Sequence, residues 1–368
     1  MKNIPTDMHT APTNLAADDA RPRAIIKLGI DAHADDFRVV VMSEGRLPKP
    51  ARRFTSVAEL VNFAAGLVRG AAEVHSCYEA GPLGYGLHRA LCAVGVNNRV
   101  VVPVNLDESG KRVKTDAKDA LALCVRLDRH VAGSEAFSVV AVPTPEQERA
   151  RTLGRERDSL LADRKRHAAH VCSVCLYYGV RLPGDWWRER PAREGLLSLL
   201  PDHLAALARS RLRLIDILVE EMAAIAARLE AEAPAGLPRY VGAMSASLLD
   251  REVRDWGRFK NRRQVGSYTG LCPTEDSSGG RRFQGGVNKH GNPRVRRLAI
   301  ELAWRLLRHQ HGYRVVKKWM PKYKAAAPGR RKQIAVAVAR EFIVDWWRVR
   351  TGRCTAESLG LDVPALEA

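Results

Sequence analysis

The apolar residues of the first third of the chain fall into short runs with the length and composition of buried strands. The first run, Ile25–Asp31, reads Ile-Ile-Lys-Leu-Gly-Ile-Asp and ends on a carboxylate. A strand so rich in Ile and Leu is expected at the centre of a sheet, with both faces covered. A second run, Glu73–Glu79, also ends on an acid and is stopped by Gly81 and Pro82. Both acids are therefore predicted to lie where a strand meets solvent.

Further apolar patterns predict alternating strands and helices around these two runs. The additional strands are Phe37–Met42, Arg52–Thr55 and Asn98–Val102, and the helices are Ser56–Arg69, Leu83–Val94 and one that begins near Lys114. The resulting order, βββαβαβα, begins with an antiparallel meander. It predicts an α/β domain over the first 144 residues.

From Pro145 to Ala233 the pattern becomes that of long, charged helices, interrupted near Gly179–Trp187. Apolar residues within it step by three and four positions, which is a heptad seam. The seam consists of Ile215, Leu218, Met222, Ile225 and Leu229. Two helices that fold back as a hairpin, or that pair with a second copy of the chain, would bury it.

The last third combines helical patterns with a Gly- and Arg-rich stretch. Pro238–Leu249 reads as helix, Gly turn, helix, and two further helices are predicted at Leu298–His309 and Lys332–Arg350. Between them, glycines and arginines alternate in a stretch predicted to be a flexible basic loop that enters a helix at about Pro293. Glycines permit close backbone approach and arginines bind phosphate, so this stretch is either a phosphate site or a solvated surface loop. The segment after Cys354 is expected to be loose.

The net charge of the chain indicates a negatively charged partner. The 368 residues carry a formal charge of +19 and a pI of about 10.0, which favours a polyanionic ligand. Between Arg251 and Arg353 there are 26 Lys and Arg against 7 Asp and Glu. That window alone accounts for the whole excess, so the C-terminal third is the predicted nucleic-acid-binding region.

Cysteine usage and apolar run lengths indicate a cytoplasmic protein with no membrane partner. Seven scattered cysteines fit reduced thiols, and residues 1–24 are polar and resemble a disordered tail. No uncharged apolar run is long enough to cross a bilayer. His167, His170, Cys172 and Cys175 have short spacings that invite a zinc interpretation, but they lie around one predicted helix, so packing or surface roles are favoured.

Four carboxylates are the candidates for chemistry. Asp116 and Asp119 are three apart at the start of a predicted helix and so share one face, to which the strand ends contribute Asp31 and Glu79. Each like-charge pair at roughly 4 Å would cost about 4 kcal/mol at an effective dielectric near 20. Cations must offset such a cluster, and Mg²⁺ or Mn²⁺ suits oxygen ligands. A turn aspartate before a hairpin is the simpler alternative for Asp31 considered alone.

Together these motifs resemble the DEDD transposases, the recombinases of the one-ten class of insertion sequences and their DNA-invertase relatives. The match covers about residues 25–350. The N-terminal element order resembles the RNase H/RuvC nuclease fold, with the family's four acids at Asp31, Glu79, Asp116 and Asp119. The family's second signature is found at Gly270–Pro273, Ser278-Gly279, Gly291-Asn292 and Arg296. One departure is Pro238-Arg239, where the family has Pro-Gly.

The resemblance implies a division into three domains with flanking tails. These are a RuvC-like domain over residues 25–144, an α-helical coiled-coil hairpin over 145–235, and a mainly α-helical transposase domain over 236–353. Residues 1–24 and 354–368 would be tails. Strand exchange would proceed through a covalent serine–DNA intermediate, with Ser278 favoured over Ser277 because the family's serine precedes glycine. The residues expected to contact nucleic acid are Arg281, Arg282, Lys289, Asn292, Arg294, Arg296 and Arg297.

The resemblance also implies donor and target DNA, a structured guide RNA, and dimers or tetramers as partners. Two alternatives remain open from the residues themselves. In a RuvC-like nuclease, water would attack and Ser278 would only contact phosphate. In a non-catalytic nucleic-acid-binding protein the acids would be degenerate, which the presence of all four disfavours.

Overall fold

The computed structural model describes residues 24–34, 36–44, 46–103, 115–188, 190–278 and 281–364, with side chains at most of these positions. The chain divides into two compact units, with the boundary between Val142 and Pro143. The N-terminal unit is an α/β domain built on one five-stranded sheet, and the C-terminal unit is mostly helical. This confirms the predicted mixed α/β class with a helical remainder.

The sheet of the N-terminal unit has the strand order β3-β2-β1-β4-β5. The strands are β1 (Ile25–Ala32), β2 (Phe37–Ser43), β3 (Arg52–Phe54), β4 (Glu73–Glu79) and β5 (Asn97–Val101). The first three form an antiparallel meander, whereas β4 is parallel to both β1 and β5. The apolar run that begins at Ile25 is therefore the central strand, as predicted.

Helices cover both faces of this sheet. They are α1 (Val57–Gly70), α2 (Gly86–Ala93) and α3 (Asp116–Val131). The Ser56 side chain caps α1 by accepting a hydrogen bond from the Glu59 amide. One face, which includes Leu28, Ile30 and Tyr78, packs in a single core with α1 and α2. The other face packs against α3, through Val40 and Met42 on one side and Cys77 and Val101 on the other.

Gly29 allows α3 to lie directly on the central strand. A Cβ atom at this position would overlap the backbone of Ala120 and Cys124. Two residues before Gly29, Lys27 Nζ lies 3.0 Å from Asp128 Oδ1, and the Cys124 thiol lies 3.6 Å from the Lys27 carbonyl oxygen. The helix therefore runs antiparallel to β1 in a fixed register, with its first turn at the strand's C-terminal end.

Gly29→Ala is expected to destabilise the N-terminal unit by about 1–3 kcal/mol, because its methyl group would force backbone apart in a close-packed contact. The matched control is Gly66→Ala on α1, where a Cβ meets only an arginine tip at 3.7 Å. That change should stabilise by about 0.5–1 kcal/mol through helix propensity. Hydrogen exchange of peptides from β1 and α3 measures both effects. Unchanged protection in Gly29→Ala would contradict the close-approach argument.

The C-terminal unit begins with two long helices that pack side by side, α4 (Pro145–Tyr177) and α6 (Asp202–Ala231), joined through α5 (Arg190–Ser198). Ala168, Val171 and Cys175 of α4 pack in one cluster with Leu212 and Ile215 of α6. Of the predicted seam, Ile215, Ile225 and Leu229 are buried, and Leu218 and Met222 are half-buried. The predicted interruption at Gly179–Trp187 lies between α4 and α5.

The rest of the C-terminal unit is a helical core that carries one β-hairpin. The helices are α7 (Ala243–Val253), α8 (Arg262–Thr269), α9 (Pro293–His309), α10 (Arg314–Ala325) and α11 (Pro328–Arg350). Leu302, Phe342 and Trp346 lie at the centre of its core. The predicted Gly turn and the helix after it are present, with Gly242 at φ 77° as the residue before α7, but residues 238–241 form a turn and not the predicted first helix. Helix α9 begins at Pro293 as predicted.

The basic stretch before Pro293 is a β-hairpin, which corrects the prediction of a flexible loop. Its strands are β6 (Pro273–Ser278) and β7 (Arg281–Val287), paired antiparallel from Pro273↔Val287 to Ser278↔Arg281. Gly279 and Gly280, which connect the strands, lie outside the described residues. A Gly-Gly pair between two strands is a strong hairpin signal. The strands themselves were not predicted, because they are polar and rich in glycine.

Two further features of the C-terminal unit differ from what the sequence indicated. Helix α10 was not predicted, because its apolar stripe is short and Pro321 lies within it. The segment after Cys354 was expected to be loose, but Ala356, Leu359 and Leu361 are buried in the helical core. The Arg239 amide also donates a 2.8 Å hydrogen bond to the Asp362 carbonyl. Three apolar side chains within six residues were enough to fix this segment.

Candidate active site

Asp31 lies at the C-terminal end of the central strand, on the face covered by α3. Successive side chains of a strand alternate between faces, so Asp31 shares its face with Gly29. On the neighbouring strand, Glu79 shares a face with Cys77, which packs against α3. The parallel register pairs Ile30 with Tyr78. Asp31 and Glu79 therefore follow directly after the last paired residues, on the same side of the sheet.

Helix α3 brings the other two acids to this edge. Asp116 and Asp119 occupy its first turn, as predicted, following Thr115 as the residue before the helix. Because α3 runs antiparallel to β1 with Ala120 and Cys124 against Gly29, its first turn reaches the level of the strand end. The four acids, which are up to 88 residues apart in sequence, thus converge on one edge of the sheet.

A histidine joins two of these acids. His33 Nε2 lies 3.1 Å from Asp31 Oδ2 and 3.8 Å from Asp116 Oδ1. Among the described residues, one potential ligand atom from each of Asp31, His33 and Asp116 lies within 4.8 Å of the other two. Asp31 is half-buried, whereas His33 and Asp116 are exposed. The group is therefore partly covered at Asp31 and open to solvent at His33 and Asp116.

The surroundings of Asp31 disfavour its charge. Burial raises the pKa of the Asp31 carboxyl above its usual value, and the nearby Asp119 and Asp116 raise it further, while His33 lowers it. Asp119 thus interacts electrostatically with Asp31 although it lies outside the three-residue group. Glu79 also lies outside that group, and it raises the pKa of the Cys77 thiol, which burial raises most. The edge of the sheet therefore concentrates negative charge.

These residues fit a hard divalent cation. Carboxylate oxygens are the ligands that Mg²⁺ and Mn²⁺ prefer, and an imidazole nitrogen is better tolerated by Mn²⁺. A cation between Asp31 and Asp116 would stabilise the charged form of the Asp31 carboxylate, which burial and the neighbouring acids disfavour. Sequence reasoning missed His33. The only available signal was its position two residues after Asp31, where a strand end brings both side chains to the same edge.

The second candidate group lies in the C-terminal unit, at the β-hairpin. Ser278 is the last residue of β6, and its backbone pairs with Arg281, while Ser277 pairs with Arg282. The Arg281 side chain is exposed. The side chains of Ser277, Ser278 and Arg282 lie outside the described part of the structure. Their roles therefore stay predictions from the sequence.

The base of this hairpin is held by residues that were predicted to contact nucleic acid. The side-chain oxygen Oδ1 of Asn292 caps α9 by accepting from the backbone amides of Arg294 and Val295, and its side-chain nitrogen Nδ2 donates to the Glu252 carboxylate and to the Tyr268 hydroxyl. These four bonds use the full capacity of the side chain. Asn292 therefore acts within this structure as a helix cap and crosslink, and its contact with nucleic acid stays a prediction from the sequence.

The predicted basic contacts divide into held and exposed side chains. Arg296 donates to the carbonyl oxygens of Thr269 and Lys289, which ties the hairpin base to α9. Arg294 and Arg297 lie 3.4 and 2.6 Å from carboxylate oxygens of Asp158 on α4. Lys289, like Arg281, is exposed. These two are the more accessible of the predicted phosphate contacts.

Sequence reasoning also missed Glu252, a 5% exposed carboxylate on α7. It lies 3.0 Å from the Asn292 amide nitrogen and 3.5 Å from Arg155 Nε on α4, and its backbone carbonyl accepts from the Tyr268 hydroxyl. This residue joins α4, α7, α8 and α9 beneath the hairpin. No spacing along the chain connects Glu252 with Arg155 or Asn292, so the pattern alone could not identify it.

An α/β unit with acids at the end of its central strand, joined to a strongly basic helical unit, is typical of enzymes that act on nucleic-acid phosphates. Comparison with known proteins defines this class further. The family described as "Transposase IS116/IS110/IS902 family" matches residues 241–319.

Curated relatives extend the similarity over most of the chain. "Putative transposase y4rJ" of Sinorhizobium fredii is 30% identical over 315 residues, which cover 78% of this chain and 79% of that protein. The transposase for insertion sequence element IS1533 of Leptospira borgpetersenii is 25% identical, covering 76% and 84% of the two chains. The transposase for IS1111A of Coxiella burnetii is also 25% identical, covering 77% and 78%.

The chain belongs to the IS110/IS116/IS902 family of transposases. This membership supports the function of an insertion-sequence transposase and implies DNA as a partner. Across the described residues, no helix is long and apolar enough to cross a membrane.

Proposed function

We propose that this chain is a metal-dependent DNA recombinase of an insertion sequence, with a RuvC-like N-terminal domain of the DEDD type. The observation that carries the proposal is the meeting of Asp31, His33 and Asp116 at the end of the central strand, within 4.8 Å of one another. The parallel β1–β4 pair and the antiparallel placement of α3 support the RuvC-like assignment, because they bring all four acids to one edge.

Asp31, Glu79, Asp116 and Asp119 hold two Mg²⁺ or Mn²⁺ ions in this proposal, and His33 orients the Asp31 carboxylate. When bound, such ions supply positive charge for the oxygens that gain charge as a phosphodiester bond breaks. The raised pKa of Asp31 supports the assignment, because a bound cation would stabilise the carboxylate charge that burial disfavours. Shared placement on strand ends and one helix turn explains why four dispersed acids act together.

Ser278 supplies the nucleophile. Its Oγ attacks the scissile phosphorus, the new Oγ–P bond replaces the bond to the leaving 3′-oxygen, and that oxygen takes a proton. A 3′-hydroxyl of the partner strand then attacks the same phosphorus and releases the serine, so no phosphodiester energy is lost. The position of Ser278 at the end of β6, beside the exposed Arg281 on β7, supports this role. The arginine is available for the attacked phosphate.

The middle helices form a coiled-coil hairpin that assembles dimers or tetramers. Large apolar side chains are exposed near the far end of this hairpin, which supports self-association there. They are Leu176, Tyr177, Tyr178 and Leu199. A structured guide RNA selects donor and target DNA, and the positive charge of the C-terminal third supports binding of two nucleic acids.

A RuvC-like nuclease that cleaves by water attack is the alternative, and family membership does not favour it. The two functions differ in whether protein remains joined to the cut strand. A non-catalytic nucleic-acid-binding protein is disfavoured by the convergence of the acids. Strand exchange on a plasmid that carries the gene with its own flanking DNA tests the proposal. Joined products should require Mg²⁺ or Mn²⁺ and disappear in EDTA.

Nucleic-acid binding should depend steeply on salt. Each phosphate that is neutralised by the +19 charge excess of residues 251–353 releases counterions from the nucleic acid. If about six to ten phosphates are neutralised, log K against log[salt] should have a slope of about −5 to −9. Filter binding between 50 and 300 mM KCl, about a sixfold range, measures this slope. A slope shallower than about −2 would show that the basic window does not grip phosphates.

Recombination at a defined target should require RNA, because phosphate contacts fix position but carry no base information. Protein purified after nuclease treatment should lose site-specific recombination and regain it when the co-purifying RNA is returned. Sequencing of that RNA identifies the guide. Site-specific recombination at the full rate by RNA-free protein would count against RNA guidance while leaving the transposase function intact.

A further inference from the structure

An open groove of about 1210 Å³ lies in the C-terminal unit, away from Asn292 and its hydrogen-bond network. Its walls come from α8, the β7 strand of the hairpin, α10 and α11. Pockets for small molecules enclose about 300–1,000 Å³. This groove exceeds that range and is open to solvent, so its size suits a segment of a polymer.

The groove is rimmed by basic side chains whose charge is not neutralised by the described residues. Arg262 and Arg263 of α8, and Lys332 and Arg340 of α11, are exposed and form no ion pair with any residue that the structure describes. Other cations at the rim are held, as in the pair between Lys318 Nζ and Glu341 Oε1 at 2.7 Å. Four free cations around one opening indicate an anionic ligand.

The spacing of the free cations indicates a ligand with several phosphates. Lys332 and Arg340 are eight residues apart on α11, which separates them by about 12 Å along the helix. That exceeds the roughly 3.4 Å rise per nucleotide of a stacked strand. The two side chains can therefore bind different phosphates of one strand, so the groove fits a chain of phosphates.

The floor of the groove is apolar. Val336 lies between Lys332 and Arg340 on one face of α11, and Val344 follows one turn after Arg340, since 332, 336, 340 and 344 are spaced at intervals of four residues. Gly286 of β7 forms part of the opposite wall, and a Cβ there would meet no atom within 4 Å. The groove thus offers cations at its rim and an unobstructed apolar surface inside.

We propose that this groove binds a single-stranded stretch of DNA next to the strand that is cleaved. In a duplex the faces of the bases are stacked on one another, whereas a single strand can expose its base faces to an apolar floor. The identity of the ligand as DNA rests on the proposed function. The groove itself rests on its charge and shape.

The hairpin connects this groove with the proposed nucleophile. Gly285, Gly286 and Val287 line the groove, and Val287 pairs with Pro273 at the base of the hairpin, five residues before Ser278. At about 3.3 Å per residue, Ser278 lies roughly 17 Å further along the hairpin. A strand held in the groove therefore has a direct path along β6 and β7 towards Ser278.

The test is fluorescence anisotropy of a labelled 12-nucleotide strand, chosen at about the upper size of a single-strand site, with the full-length protein at several salt concentrations. Lys332→Ala/Arg340→Ala should weaken binding of single-stranded DNA about tenfold, and should make the salt slope shallower by about 1.4, at roughly 0.7 per phosphate contact. The matched control is Lys317→Ala/Arg330→Ala, which removes the same charge from exposed positions outside the groove. It should change affinity less than about twofold.

A second variant tests the shape without changing the charge. Gly286→Leu places a side chain into open space, so it should weaken single-strand binding while leaving the salt slope and the unfolding temperature unchanged. A duplex and an RNA strand of the same sequence should be less affected by both variants. Equal weakening by the groove and control variants, or an effect confined to RNA or to duplex, would overturn the proposal.

The outcome separates this groove from the proposed chemistry. Loss of single-strand binding in Lys332→Ala/Arg340→Ala, combined with no covalent adduct in the wild type, would leave the groove standing and remove the serine mechanism. An adduct that forms at the normal level in that variant, with unchanged single-strand affinity, would rule out the groove and leave the serine mechanism standing.

Discussion

Asp31→Asn and Asp119→Asn are each expected to abolish DNA strand cleavage while the chain remains folded. Asp31 lies 3.1 Å from His33, and Asp119 acts on it electrostatically from the first turn of α3. Removing one carboxylate should lower cleavage by at least about a thousandfold, since a bound metal supplies several kcal/mol of charge stabilisation and each 1.4 kcal/mol is about tenfold in rate. Gel analysis of a labelled substrate in Mg²⁺ measures the loss.

The unfolding temperature of Asp31→Asn provides the folding control, and the direction of its change follows from the pKa of Asp31. Burial raises the pKa of Asp31 in the folded state, so the folded protein holds the proton more tightly than the unfolded chain. The stability that results is present below the unfolded pKa and is lost as the pH rises through the folded pKa. In EDTA at pH 7 the variant should therefore unfold at a higher temperature than the wild type, and the difference should shrink as the pH falls.

Paired variants on one strand separate the site from its surroundings. Glu79→Gln and Glu73→Gln change the same residue type at opposite ends of β4. The first should lose cleavage, and the second should keep it, because Glu73 contacts His75 at 2.7 Å and lies away from the acid edge. Full cleavage in EDTA, or in Asp31→Asn, would show that the acids do not form a metal centre.

Much of the N-terminal unit could be predicted because its strands carry the signal locally. Ile25–Asp31 and Glu73–Glu79 are apolar, short and bounded by turn residues, and the structure has strands at Ile25–Ala32 and Glu73–Glu79. An acid at the end of a parallel strand must lie at the sheet edge, so the position of Asp31 followed from the strand alone. The helical acid pair needed only the spacing of three residues.

What could not be predicted depends on contacts between distant segments. The register of α3 on β1 is set by Gly29 beneath Ala120 and Cys124, and no local pattern reveals which helix a strand glycine faces. For the same reason, no local pattern predicted the side-chain hydrogen bond between Asn292 and Glu252, which are 40 residues apart. Sequence patterns therefore identified the acids but not their geometry, and identified Asn292 but not its structural role.

Charge counting located the basic region but not which of its cations lack an ion pair among the described residues. The +19 excess drew attention to the arginines around the hairpin, of which Arg296 and Arg297 are engaged with neighbouring groups. The exposed cations Lys332 and Arg340, which form no ion pair among the described residues, lie instead on α11. An arginine's availability depends on whether an acid or a carbonyl folds beside it, which composition does not record.

Ser278→Ala is expected to eliminate every covalent protein–DNA adduct while retaining DNA and RNA binding. A hydrolysing enzyme releases its cut ends, and rejoining then requires a new source of energy. A serine ester preserves the phosphodiester energy and holds the end for a new partner strand, as strand exchange requires. The hydroxyl adds about 1 kcal/mol at most to a grip on many phosphates, so affinity should fall less than about fivefold.

Ser277→Ala is the matched control, because it removes the same hydroxyl one residue earlier on β6, where the backbone pairs with Arg282 instead of Arg281. It should retain part of the adduct formation or all of it. A substrate nicked beside the cleavage site traps the intermediate, since the short fragment diffuses away and cannot be rejoined, and mass spectrometry then locates the modified residue. An adduct on Ser277 would move the nucleophile by one position. Cleavage that leaves free 5′-phosphates and no adduct would identify water as the nucleophile and the protein as a nuclease.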